Sequence, residues 1–211
     1  MNTQESIEVL MRRDGWNGYI LGCDEVGRGP LAGPATVACV AFPVDLGVDF
    51  GLFSQLDDSK KLSARKRESL VEAIHQAAAA WAVVDMSPEE IDKYNILQAC
   101  LLGMRKAAES VVEQLGDANA ANTHVIVDGN KLIPDLKWPQ TAYVKGDARS
   151  WSIAAASILA KVHRDELMVA YDAQYPGYGF AQNVGYPTAA HRAAVLELGP
   201  TPIHRRSFKV R

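Results

Sequence analysis

Two apolar runs, GYILGC at 18–23 and ATVACVAF at 35–42, are separated only by an acid pair and the segment VGRGPLAGP, crowded with glycine and proline. Apolar, β-rich runs favour strands, and the residues between them favour a reversal, so the chain is expected to make a hairpin-like pair here. Such a pair persists only when its faces are covered. Three further runs read as strands: WAVVDM (81–86), THVIVD (123–128) and TAYVK (141–145). The covering helices show in the spacing. Ser63 is placed to cap a helix over about 64–80, with Leu70, Val71, Ile74, Ala78 and Trp81 at helical intervals. Ser87-Pro88-Glu89-Glu90 is a capping box with proline in the first turn. Leu97, Leu101, Met104, Ala108, Val111 and Leu115 continue as an apolar stripe, and 150–173 carries a small-residue patch (Ala154, Ala155, Ala156, Ala160) suited to close packing on a sheet. Residues 188–198 read as a last helix. Five strands with helices between them predict an α/β fold with one mixed sheet. Residues 1–211 are expected to form a single domain, with 1–17 as an N-terminal arm, 45–59 as an acidic loop and about 188–211 as a C-terminal helix and basic tail.

The net charge of −3 argues by itself against a globally basic nucleic-acid binder. Its distribution qualifies that. Residues 59–68 and 204–211 each sum to +4, leaving −11 on the rest. No run approaches the ~18 apolar residues of a membrane span, and the first residues carry acids without the apolar stretch of a signal peptide. Three cysteines (Cys23, Cys39, Cys100) without CxxC spacing suggest a reducing, cytoplasmic setting and no thiolate metal site.

Acids stand at three strand ends. Asp24-Glu25 closes the first strand, Asp128 closes THVIVD, and Asp147 follows TAYVK. Buried unpaired, such groups are costly. A divalent cation relieves their mutual repulsion, and hard Mg²⁺ or Mn²⁺ takes oxygen ligands of this kind. Alternatives stand beside this: Asp147 as a helix cap, Asp128 as a plain turn former. Asp57-Asp58 and Glu89-Glu90 read as solvated charges. Gly27-Arg28-Gly29-Pro30 follows the acid pair; its backbone is free to approach a sugar hydroxyl or phosphate, or else merely needs positive φ.

In these residues the chain resembles the type 2 ribonuclease H family, specifically bacterial ribonuclease HII. The resemblance rests on Gly22-Cys23-Asp24-Glu25-Val26-Gly27-Arg28-Gly29-Pro30-Leu31-Ala32-Gly33-Pro34, Asp57-Asp58-Ser59-Lys60-Lys61-Leu62-Ser63, Val127-Asp128-Gly129-Asn130, and Lys145-Gly146-Asp147. It continues through Ile153 to Val162 with Arg164-Asp165, Gly185-Tyr186-Pro187-Thr188 with His191, and His204-Arg205-Arg206-Ser207-Phe208. It covers about 19–208. Pro187 stands where many members have glycine, and 1–17 has no clear counterpart.

The resemblance implies a ribonuclease H-like fold with a helical C-terminal part. It implies endonucleolytic cleavage of RNA in RNA–DNA hybrids and 5′ of single ribonucleotides in duplex DNA, in ribonucleotide removal and RNA primer clearance. It makes Asp24, Glu25, Asp128 and Asp147 the catalytic, metal-binding acids. It makes Gly27-Arg28-Gly29 the loop that senses the 2′-OH and Tyr186 the ring that packs on the next sugar. The expected chemistry is a hydrolysis with two divalent ions, leaving 3′-OH and 5′-phosphate, with Asp24 bridging the ions. Lys60, Lys61, Arg205 and Arg206 are expected to contact phosphates. His191 and His204 are read as structural or substrate-facing. Nothing suggests an obligate oligomer. A type 3 enzyme would carry a further N-terminal domain, a strand-transfer enzyme lacks support from the glycine and tyrosine motifs, and a silent binding module would have lost an acid.

Overall fold

The computed structural model describes residues 6–45, 56 and 64–209. The expected acidic loop lies almost wholly outside them, as do Ser63, Lys60 and Lys61. Strands β1 (Tyr19–Val26), β2 (Ala35–Ala41), β3 (Ala80–Met86), β4 (Thr123–Asp128) and β5 (Gln140–Tyr143) form one sheet in the order β3-β2-β1-β4-β5. The hairpin-like pair is present: β1 and β2 run antiparallel, as do β2 and β3, while β1–β4 and β4–β5 are parallel. The sheet is therefore mixed, as expected.

The helices are α1 (Ile7–Arg13), α2 (Ala64–Ala77), α3 (Pro88–Tyr94), α4 (Ile96–Leu115), α5 (Asp117–Ala120), α6 (Trp151–Gln174), α7 (Phe180–Asn183) and α8 (Ala189–Leu198). The capping box at Ser87 starts α3 as expected, with both reciprocal bonds formed. That helix ends before Asn95, whose φ of 65° turns the chain and whose side chain caps α4 at Gln98 N–H. The apolar stripe of α4 lies on one face of the sheet, with Leu101, Met104, Ala108 and Val111 against Leu21, Val37, Cys39 and Val127. α2 and α6 cover the other face, where Leu70, Ile74 and Ala154–Ala156 meet Ala38 and Val40. Successive β2 residues thus point to opposite buried faces, which is why ATVACVAF is apolar throughout.

The small-residue patch has a geometric cause. A Cβ on Gly22 would lie 2.3 Å from the backbone of Ser152 and Ile153, so only glycine lets α6 lie flush on β1. The fifth strand is shorter than expected: it ends at Tyr143, Val144 is exposed, and Lys145 turns the chain with φ 57°. After α8, residues 203–205 return to the segment after β1. Gly33 N–H donates to Ile203 O, Arg205 N–H donates to Leu31 O, and Ala32 bridges His204.

Candidate active site

β1 and β4 lie side by side in parallel with Cys23 opposite Val127, so Asp24 and Asp128 follow at the same end of the sheet. Asp24 is only 6% exposed. Its Oδ1 accepts from Glu25 N–H at 2.7 Å. Burial raises its pKa well above the usual carboxylate range, and the charges of Glu25 and Asp128 push it further; bonds from the Ser157 hydroxyl and the Glu25 amide only partly oppose this. Asp128 Oδ1 accepts from Gly146 N–H at 2.7 Å, which ties β4 to the short 3-10 turn Gly146–Ala148. That turn carries Asp147, 8% exposed. Asp147 does not cap the following helix: Ser150 does, accepting from Ile153 N–H. The structure thus brings Asp24, Glu25 and Asp128 into mutual repulsion and fastens the turn of Asp147 to Asp128. Among the described residues, no three His, Cys, Asp or Glu side chains stand close enough to form a ready-made metal cage.

The glycine turn adjoins this end. Gly27 has φ 87°, and a Cβ there would lie 2.3 Å from Arg164 Nε, so the position tolerates no side chain. Arg28 Nη1 reaches Glu25 Oε1 at 3.2 Å. Among the described residues, the backbone N–H groups of Gly27, Arg28 and Gly29 donate no hydrogen bond. The carbonyls of Gly27 and Arg28 face inward. Arg205 donates to Gly27 O (2.6 Å), Arg28 O (3.1 Å), Gly33 O (3.0 Å) and Pro34 O (3.0 Å). Arg164 donates to Ala32 O, Pro34 O and Val184 O. The expectation that Arg205 contacts phosphate is therefore corrected. The residue is 2% exposed, its guanidinium is spent on four carbonyls, and burial, then the charge of Arg164, lowers its pKa to about 9. Arg206 is exposed, with its backbone N–H on Asp92.

Tyr186 stands across from the glycine turn, half-exposed; a Cβ on Gly29 would lie 3.4 Å from its ring. Leu31 N–H donates to Gly185 O and joins the two turns. A pair of buried histidines sets the tyrosine turn. Tyr186 O can only accept, so His191 Nδ1 donates to it (2.9 Å). In the neutral ring His191 Nε2 then accepts, and His204 Nε2 donates to it at 3.1 Å. His204 Nδ1 accepts in turn from Thr201 N–H and its hydroxyl. Burial, and then the neighbouring imidazole, lowers the pKa of His204 to about 4, which keeps that ring neutral.

The positioning roles of Arg164 and Arg205 were not read from the sequence. For Arg164 a signal exists: it falls seven residues after Ser157 and four after Ala160, on the inward stripe of a helix whose other inward residues are small or apolar.

The ribonuclease HII family model matches residues 21–211. The chain belongs to the ribonuclease HII family. It is 50% identical over 192 residues to ribonuclease HII of Pelodictyon phaeoclathratiforme, covering 91% of this chain and 90% of that one. It is also 50% identical over 204 residues to ribonuclease HII of Paracoccus denitrificans, covering 96% and 90%. Its fold is similar to ribonuclease H2 of Pyrococcus horikoshii, with a TM-score of 0.68, 23% identity and coverage of 91% and 94%. It is similar to ribonuclease HII in a PCNA complex from Archaeoglobus fulgidus, with a TM-score of 0.68, 26% identity and coverage of 92% and 96%. It also resembles Bst-RNase HIII in complex with Mn²⁺, with a TM-score of 0.73, 18% identity and coverage of 97% of this chain and 71% of that one. As a ribonuclease HII the chain is a nuclease, a hydrolase with ribonuclease H activity on RNA–DNA hybrids. No described helix is long and apolar enough to cross a membrane.

Proposed function

We propose that this ribonuclease HII cuts the RNA strand of RNA–DNA hybrids and also cuts 5′ of single ribonucleotides in duplex DNA. On this reading it uses divalent cations held by Asp24, Glu25, Asp128 and Asp147. The observation that carries it is the buried carboxylate of Asp24, crowded by Glu25 and Asp128 beyond what Ser157 and the backbone relieve. An all-oxygen, electronegative donor set with a burial cost of this kind suits Mg²⁺ or Mn²⁺. When bound, such ions supply an activated water and stabilise the leaving oxygen, two ions being the recurring arrangement.

The chain's own residues do the rest. Gly146 N–H holds one oxygen of Asp128 and leaves the other for a ligand. The Glu25 amide and the Ser157 hydroxyl hold Asp24. Unspent N–H donors at Gly27, Arg28 and Gly29 lie beside the acids, where a 2′-OH is the handle that tells RNA from DNA. A site built round that hydroxyl rejects a deoxyribose because its own donors are left unpaired. Tyr186 faces the same space and offers a flat surface to the sugar that follows. Arg28 and Arg206 are exposed cations available to phosphates.

The test is a DNA duplex with one ribonucleotide, incubated with Mg²⁺ or Mn²⁺ beside an all-DNA duplex. The expected product is a single cut 5′ of the ribonucleotide, leaving 3′-OH and 5′-phosphate. Equal cutting of both duplexes, or cleavage of long hybrids alone, overturns the reading.

A further inference from the structure

Helix α1 lies outside the residues matched by the family model, yet it reaches the turn that carries Asp147. Its Glu8 is buried at 6% exposure. One carboxylate oxygen, Oε1, accepts three hydrogen bonds from the start of α6: Ser150 Oγ (2.6 Å), Ser152 Oγ (2.7 Å) and Ser152 N–H (3.0 Å). The other oxygen, Oε2, is buried without a hydrogen-bond partner among the described residues. A carboxylate kept in that condition costs more than an apolar residue would for merely docking a helix. Docking is already provided by Ile7, which packs on Ile20, Ile126 and Ile153 and whose N–H donates to Arg149 O.

What Glu8 adds is a fixed point. It places an acceptor oxygen at the N-terminus of a 24-residue helix, where the first N–H groups lack partners within the helix. It also satisfies an amide of the first turn from 144 residues away. From there the bonds run on without a gap. Ser150 N–H and Arg149 N–H both donate to Gly146 O, and Gly146 N–H donates to Asp128 Oδ1. On the opposite side α6 is pressed against Gly22, two residues before Asp24.

We propose that Glu8 is a positioning residue for the nuclease centre. It anchors the first turn of α6, and through the Gly146–Ser150 turn it sets Asp147 and Asp128 at their distance from Asp24. The inference rests on the reading of those acids as the catalytic set.

The experiment compares wild type with Glu8→Ala, Glu8→Gln, Ser152→Ala and the docking control Ile7→Val. Each is assayed for cleavage kinetics on a hybrid, for Mn²⁺ binding by calorimetry without nucleic acid, and for hydrogen exchange at Ile153 and Ala154. Glu8→Ala is expected to lower kcat about tenfold or more, with KM within about twofold, since a misplacement near 1 Å costs on that scale. Mn²⁺ binding weakens in parallel, and the two amides lose protection. Glu8→Gln keeps the Oε1 acceptor and restores kcat to within about threefold of wild type. Ser152→Ala, which removes one bond and spares the fold, gives an intermediate loss and keeps the test open should Glu8→Ala not fold. The proposal falls if Glu8→Ala, or Ser152→Ala in its place, keeps wild-type kcat and Mn²⁺ affinity. It falls equally if Ile7→Val, at the same loss of Tm, lowers kcat as much. Asp147→Asn separates the two levels: wild-type cleavage by Asp147→Asn removes the catalytic reading itself, whereas its inactivity beside an unaffected Glu8→Ala removes only the role of Glu8.

Discussion

The acid end of the sheet and the glycine turn beside it both bury charge, and they treat it in opposite ways. At the acid end, Asp24 is surrounded by further negative charge and its internal hydrogen bonds fall short. At the glycine turn, two buried guanidiniums are met by a ring of carbonyl oxygens. The first region keeps an uncompensated charge; the second is balanced within the protein. Substitutions in the first should therefore damage activity while sparing stability, and in the second the reverse order should hold.

The strongest separation comes from Asp24→Asn. Cleavage should drop by at least ~10³-fold, the scale of removing a group that acts on transition-state charge, while Tm stays level or rises because a repelling charge is gone. A thermal melt beside a cleavage assay checks this; a large fall in Tm would erase the contrast. Next in size is Arg205→Met. Four carbonyls lose their donor, so a loss of about 3 kcal/mol or more is expected. For a chain of this size that lowers Tm by roughly 6–12 °C. Activity per folded molecule should fall mainly through discrimination between ribose and deoxyribose, measured as the ratio of rates on matched substrates.

The histidine relay gives a smaller effect with a defined sign. His204 has a folded pKa of about 4 against 6.5 for the free group. Between those values the unfolded chain holds more protons than the folded one, so stability falls as pH drops from 6.5 toward 4. Melts across that window should show the decline, and His204→Gln should flatten it. Smallest is Arg206→Ala. It should leave Tm unchanged and reduce the slope of log affinity against log salt by about one, the signature of a single phosphate contact. Arg205→Met should leave that slope alone; if the two arginines exchange these behaviours, the division between the regions is wrong.

Most of the framework was legible because its signals are local. Apolar runs marked all five strands, and Ser87 marked the start of α3. The acids stood out as candidates because each lies at or just after an apolar strand, with turn and cap readings standing beside that for Asp128 and Asp147. The losses share a cause: they depend on what comes from far along the chain. Arg205 sits in a basic tail that reads as a phosphate-contacting surface, and only the return of 203–205 to the segment after β1 shows it to be internal. Glu8 looks like an ordinary acid in the first turn of a short helix until α6 is seen to begin on top of it. Asn95 interrupts a helical pattern with a backbone angle, and periodicity does not register angles.

The bond from Arg205 to Gly27 spans 178 residues. Synthesis proceeds from the N-terminus, so the strand carrying Asp24 and Glu25 is made long before the arginine that shapes the turn beside it. A chain still short of that arginine has its acids but not the internal donor that holds the carbonyls of Gly27 and Arg28. The shape of that turn is therefore acquired only after residues 203–205 have been made and have folded back onto the first hairpin.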